Sequence, residues 1–222
     1  KKGALKTPIK IFKEAVTFDP FNRGVCSTEL QAKLFDQWTP GWPALHPVQV
    51  ILKRGNREVD RLYMYFGHRQ VEVENGIIQL NGKQLYQRLL LHQGYYVQGL
   101  YRPENDYQYH EDITIMKNAG FNGCRMHQKI EDPRFHYWAD IMGFLVWEEM
   151  PSYYYPSTKN MRKMEHQLHE VLRRDSVHPS VITNVLFNES WGIYSAFVSS
   201  RARKNVIDLF NRVRQQYPGY LY

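Results

Sequence analysis

Two rhythms of apolar and polar positions divide the chain. Over residues 9–73 apolar side chains alternate with polar ones in short segments, IKIF, VCSTELQAKLF, VQVILKRG, EVDRLYMYFG and QVEVENG, separated by Pro, Gly and Asn. Alternation broken by turns at this spacing predicts antiparallel strands of a β-sandwich, with Gly55-Asn56 as a hairpin turn. The proline-rich stretch WTPGWPALHP, 38–47, predicts an irregular loop.

After Asn81-Gly82 the pattern changes to continuous apolar runs followed by helical spacing. Strands are expected at 85–91 (LYQRLLL), 121–126, 144–147 (FLVW) and 181–187. Between them, 110–119 sets Ile113, Met116 and Ala119 on one face, with Gly120 as a C-terminal stop. Pro133 opens a helix that Gly143 closes. Met161, Met164, Leu168, Val171 and Leu172 mark a long helix ending before His178-Pro179, and 198–213 is a fourth helix. Four βα units with apolar strands imply a parallel sheet covered by helices. The sheet is either open and doubly wound or half of a barrel. No Gly-rich phosphate loop follows a strand, whereas polar residues collect behind each one: His92-Gln93, then Arg125 and His127, then Glu148-Glu149, then Asn188-Glu189. Such convergence fits the catalytic face of a barrel.

Composition changes this picture little. Aromatic residues reach 14%, with 16 Tyr and 5 Trp, which leans toward a binding cleft. The net charge of +7 raises nucleic acid as a partner. The basic residues are scattered or helical, however, and no nucleic-acid-reading motif accompanies them, so a solvated helix face is the expected reading. Two cysteines, Cys26 and Cys124, give neither a disulfide framework nor metal spacing. His166 and His169, one helical turn apart, lack a third ligand and read as surface residues. No leader and no membrane-spanning run is visible, so a cytoplasmic location and no membrane partner are expected. Lys1 in place of Met leaves a removed leader open.

The chemistry concentrates in VITNVLFNESWG, 181–192. A carboxyl group at the mouth of a buried strand is expected to be partly desolvated, which raises its pKa and suits Glu189 to general acid catalysis. Asn188 could donate to a ligand hydroxyl and Trp191 could form a stacking wall. The plainer alternative is a strand-end Glu that caps the next helix or pairs with Arg125. Tyr95, after His92-Gln93-Gly94, either lines a ligand subsite or packs within its loop.

NGKQLYQR, KNAGFNGCRMHQKIEDPRFHYWADIMGFLVWEEMP and HPSVITNVLFNESWG, in that order, resemble the barrel domain of glycoside hydrolase family 2, which includes β-galactosidases, β-glucuronidases and β-mannosidases. WPALHPVQVILKRG and YFGHRQVEVENGIIQLNGK resemble the end of that family's immunoglobulin-like domain and its linker. The fold class implied is α/β plus β: an immunoglobulin-like β-sandwich segment and linker over 1–74, then the first four βα units of a (β/α)8 TIM barrel over 75–222. The resemblance makes Glu189 the acid/base and Asn188 the amide on the sugar 2-hydroxyl. Arg125 orients carboxylates, and Glu149 is the acidic residue after strand three. His127, displaced by one residue from the usual Ser-His-Tyr-Pro run, together with His92, Tyr95 and Trp191, completes the expected substrate contacts. The magnesium ligands of some β-galactosidases have no match in PSYYY, 151–155, so neither metal nor cofactor is expected.

Retaining hydrolysis needs two carboxyl groups roughly 5–5.5 Å apart. The resemblance places the nucleophile on barrel strand seven, beyond Tyr222. The chain alone is therefore expected to be inactive, with carbohydrate as the partner of the whole protein and a non-catalytic binding or scaffold piece as the alternative. The unpaired strand edges of a half-barrel predict self-association.

Overall fold

The computed structural model describes residues 31–189 and 193–222. The chain forms two compact units, 1–35 and 36–222. IKIF and most of VCSTELQAKLF lie outside the described residues. In the first unit Ala32–Leu34 makes one 3-10 turn, closed by the Phe35 amide donating to the Ala32 carbonyl at 3.1 Å, where the sequence suggested the end of a strand.

The second unit opens with a long hairpin, β1 (His46–Arg54) and β2 (Arg57–Phe66), turning at Gly55-Asn56 as expected, with Gly55 at φ +59°. Its register sets Val48 opposite Met64 and Val50 opposite Leu62, so one face of the ribbon is apolar. A three-stranded meander follows: β3 (Val71–Glu74), β4 (Ile77–Leu80) and β5 (Lys83–Gln84). Both of its turns are Asn-Gly with the two residues left-handed, Asn75-Gly76 at φ +51° and +78°, Asn81-Gly82 at +55° and +71°. That is the geometry favoured by the twist of a two-residue hairpin. Asn81 is tied at both ends of its side chain, its Oδ1 accepting from the Gln70 amide and its Nδ2 donating to the Trp38 carbonyl. Asn75 is exposed.

Beyond the meander, parallel strands alternate with helices. Strands β6 (Leu89–His92), β7 (Gly123–Met126), β8 (Leu145–Glu149) and β9 (Val181–Val185) form one parallel sheet in that order. The helices are α1 (Tyr107–Asn118), α2 (Pro133–Met142), α3 (Thr158–Asp175), the single turn α4 (Ser195–Val198) and α5 (Ser200–Gln216). Side-chain caps start three of them: Asp132 accepts from the Arg134 amide, Ser157 from that of Asn160 and Ser199 from that of Ala202. Gly143 ends α2 at φ +64°, where a Cβ would lie 2.3 Å from the Pro40 carbonyl oxygen, so conformation and space both require glycine. Strand β6 begins later than expected, at Leu89, and α1 earlier, at Tyr107.

Alternation along the strands sorts the core. Cys124, Met126, Val146 and Val181 turn outward onto Tyr109, Ile113 and Met116 of α1 and Phe135 and Ala139 of α2. A second cluster, with Met161, Met164, Leu168 and Leu172 of α3, joins Leu209 and Val213 of α5. On the inner side, Leu145 and Ile182 meet Val71 and Leu80 of the meander and the fully buried Trp38, so the meander closes the end where the strands begin. The stretch from Trp38 to Leu45 is irregular, as expected, with His46 and Pro47 taken into β1, and Trp38 within it donates from Nε1 to the Asp140 carbonyl at 2.9 Å. The β9 edge was expected to be unpaired. Leu221 forms an isolated parallel bridge with Thr183 and accepts from the Asn184 amide at 2.9 Å, so that edge is met at this point. Among the described residues no helix is long and apolar enough to cross a membrane.

Candidate active site

Arg125 is the hub of the strand ends. It leaves β7 on the inner face, and its Nε donates to Glu149 Oε2 at 2.6 Å, at the end of β8. Its Nη2 donates to Asn188 Oδ1 at 2.7 Å, just beyond β9. The other Glu149 oxygen accepts from the Gln128 amide at 3.1 Å. Glu149 is fully buried and Asn188 nearly so, while the Arg125 side chain keeps 27% exposure. A planar guanidinium reading one carboxylate and one amide oxygen fixes both groups in orientation. With Oδ1 occupied, the Asn188 amide has its Nδ2 hydrogens left to offer a ligand. Gln128, at φ +51°, makes the turn that aims its amide at Glu149.

Glu189 follows Asn188 directly, at φ +47°. Left-handed backbone at a non-glycine residue stores about 1–3 kcal/mol and recurs at functional sites. The partial desolvation expected for Glu189 is not found: the side chain is exposed, because the left-handed turn carries it off the buried line that ends in Asn188. The described residues do not wall it in. The suggested pairing with Arg125 is replaced by the Glu149 and Asn188 contacts. Trp191 lies outside the described residues.

The other expected contacts separate into two groups. His92 belongs to the helix layer, since strand alternation turns it outward. Its Nδ1 accepts from the Gly94 amide at 2.9 Å, its Nε2 is 3.7 Å from Asp112 of α1, and its ring lies 6.0 Å from that of Phe135. It therefore does not join Arg125. His127 stays at the rim, its amide donating to the His92 carbonyl and its Nδ1 3.4 Å from Gln93 Nε2. Tyr95 is exposed in the loop after β6, edge-on to Tyr101 at 5.4 Å. Tyr101 and Lys129 went unnoticed in sequence. The short spacing of Lys129 to Glu131 before a helix-opening Pro is a weak signal for what proves a buried ion pair. His169 bonds to the Tyr217 hydroxyl at 2.8 Å, in the packing of α3 on α5, rather than lying free on the surface; His166 is exposed as expected.

Among the described residues, His136, Glu148 and Asp175 are near enough to share an ion. Arg174 already supplies positive charge there, with both Asp175 oxygens at 2.7 Å and Glu148 at 3.8 Å. Burial raises the Glu148 carboxyl against the pull of His136, and His136, which burial would push down, is held up by Glu148.

Residues 71–218 match the family model for the TIM barrel domain of glycosyl hydrolases family 2. The chain is similar to a β-galactosidase of Thermoanaerobacterium thermosulfurigenes, 32% identical over 157 residues, covering 69% of this chain and 22% of that protein. A β-galactosidase of Photobacterium profundum is 32% identical over 170 residues, covering 69% and 16%. The chain thus spans about a fifth of the curated relatives it matches. In fold it resembles a family 2 β-galacturonidase of Eisenbergiella tayi solved with galacturonate (TM-score 0.74, 23% identity, 89% of this chain and 35% of that one). A β-D-glucuronidase of Dictyoglomus thermophilum gives a TM-score of 0.74 at 22% identity, covering 83% and 33%. With the four parallel strands and their polar ends in place, the chain belongs to glycoside hydrolase family 2, through its TIM barrel domain.

Proposed function

We propose that this chain carries the acid/base side of a retaining exo-β-glycosidase site. Glu189 protonates the departing glycosidic oxygen and then takes a proton from the incoming water. Asn188 holds the sugar hydroxyl beside the reacting carbon. Arg125 sets Asn188, and Glu149 sets Arg125 from below, reaching the substrate only through it. The observation that carries this reading is the single guanidinium bonded at once to Glu149 and Asn188, with Glu189 next in the chain. Glu149 is not read as the nucleophile, because both its oxygens are occupied. That group comes from outside this chain, so the chain alone is inactive. No cofactor is needed.

The hairpin of β1 and β2 fits the end of an immunoglobulin-like sandwich, and its apolar face supports the 1–74 segment as part of such a domain. Leu91, 52% exposed on edge strand β6, supports association with a complementing surface. In the catalytically complete protein, Glu189→Ala is expected to cut turnover of a β-glycoside with a poor leaving group by about 10²–10⁴-fold, with azide restoring part of it. Unchanged turnover would remove Glu189 from the mechanism and favour a non-catalytic carbohydrate-binding role.

A further inference from the structure

The loop between β6 and α1 is held from beneath by a buried ammonium. Lys129 is 5% exposed, and its Nζ donates to the carbonyl oxygens of Gly94 and Tyr101, both at 2.6 Å. Glu131, 1% exposed, balances the charge at 2.8 Å, off the hydrogen-bonding direction. The ammonium also lies 5.9 and 5.4 Å from the ring centres of Tyr96 and Tyr101. Gly94, at φ +64°, leaves the room: a Cβ there would stand 2.7 Å from Nζ. Tyr96 and Leu100 exchange backbone hydrogen bonds at 2.9 Å, closing the loop on itself. A buried charge solvated by loop carbonyls rather than water fixes the backbone that carries them.

What this fixed loop displays is apolar. Tyr95 and Tyr101 are each 63% exposed, edge-to-face, and Leu100 is 67% exposed. The loop leaves β6, the strand beside the one that carries Arg125, at the same end of the sheet. We propose that the Tyr95–Tyr101 pair is a stacking platform for the leaving-group side of a glycoside, selecting a ring-bearing aglycone, and that Lys129 is its positioning residue. The inference rests on the glycosidase reading above. Its logic is one of depth: the buried, hydrogen-bonding trio suits a sugar held inside, whereas exposed aromatic faces at the rim suit what projects outward. Fixing the platform in advance lowers the cost of ordering it on binding.

The test is a nuclear magnetic resonance titration of this chain with phenyl and methyl β-glycosides, in galactosyl and glucuronyl forms. Phenyl glycosides are expected to bind roughly 5–10-fold more tightly, moving Tyr95 and Tyr101 resonances. Tyr101→Ala should abolish that ratio and leave methyl glycoside affinity unchanged. Lys129→Met paired with Glu131→Gln removes both buried charges together, so neither is left without its partner, and a thermal melt checks that the variant is folded. It should erase the ratio as well and speed amide exchange at Tyr96 and Leu100 alone. Equal affinity for phenyl and methyl forms would overturn the platform and leave the glycosidase reading standing. Binding of neither, with Arg125 signals unmoved, would overturn both. A ratio kept in the double variant would overturn the role of Lys129.

Discussion

Glu148 and Glu149 are neighbours in sequence, equally buried, and chemically unlike. Glu149 points into the sheet's inner side and has a donor for each oxygen, Arg125 and the Gln128 amide. Glu148 points into the helix layer, where Oε1 faces His136 Nε2 at 3.0 Å and Oε2 has no hydrogen bond, as does His136 Nδ1. The first carboxylate fixes the Arg125 guanidinium; the second faces an imidazole and is raised by burial. The contrast teaches that burial does not decide what an acid does. The number and kind of donors around it do, and strand alternation deals those out one residue at a time.

The largest expected break in that contrast comes from Glu149→Ala, which strips Arg125 of its charge partner. It should lower the unfolding free energy in urea by about 3 kcal/mol, against about 1–2 kcal/mol for Glu148→Ala, whose histidine can shed its proton. Equal losses would erase the distinction. The next test is titration. Both Glu148 and His136 have folded pKa values above their ordinary 4.5 and 6.5, so the folded state binds more protons than the unfolded one. Their stabilisation is therefore present at low pH. It is lost as pH rises, from above 4.5 for Glu148 and above 6.5 for His136, by up to about 1.4 kcal/mol per pH unit per proton. Glu148→Gln should flatten this slope in thermal melts between mild acid and alkali; an unchanged slope would place the titration elsewhere. The smallest effect calibrates the others. Arg212 and Glu165 pair at 2.7 Å on the helix surface, with Arg212 45% exposed, and Arg212→Ala should cost less than about 1 kcal/mol in the same urea experiment.

Much of the barrel half was legible because its signals are local. Pro133 and Gly143 bracket α2, Gly120 follows α1, and the Met and Leu spacing of α3 marks its buried face. The trio of Arg125, Glu149 and Asn188 was also named from sequence, since strand ends in a parallel sheet converge. What escaped was direction. His92 is a strand-end histidine like the others in sequence, yet its position in the alternation sends it to Asp112 and Phe135. Glu189 was expected to be sheltered by its apolar strand, but a left-handed turn cannot be read from Asn-Glu-Ser, and it moves the carboxyl into the open. Lys129 was invisible for a related reason: a lysine buried under loop carbonyls looks in sequence like any surface lysine.

The paired Asn-Gly turns of the meander also set how the molecule ages. An asparagine followed by glycine can cyclise through the next amide and reopen as isoaspartate, adding a methylene to the main chain. Asn81, with its amide bound at both ends, is held back from that attack, whereas exposed Asn75 has no such restraint. Chemical wear should therefore begin at the outer turn and spare for longer the one that plugs the barrel floor.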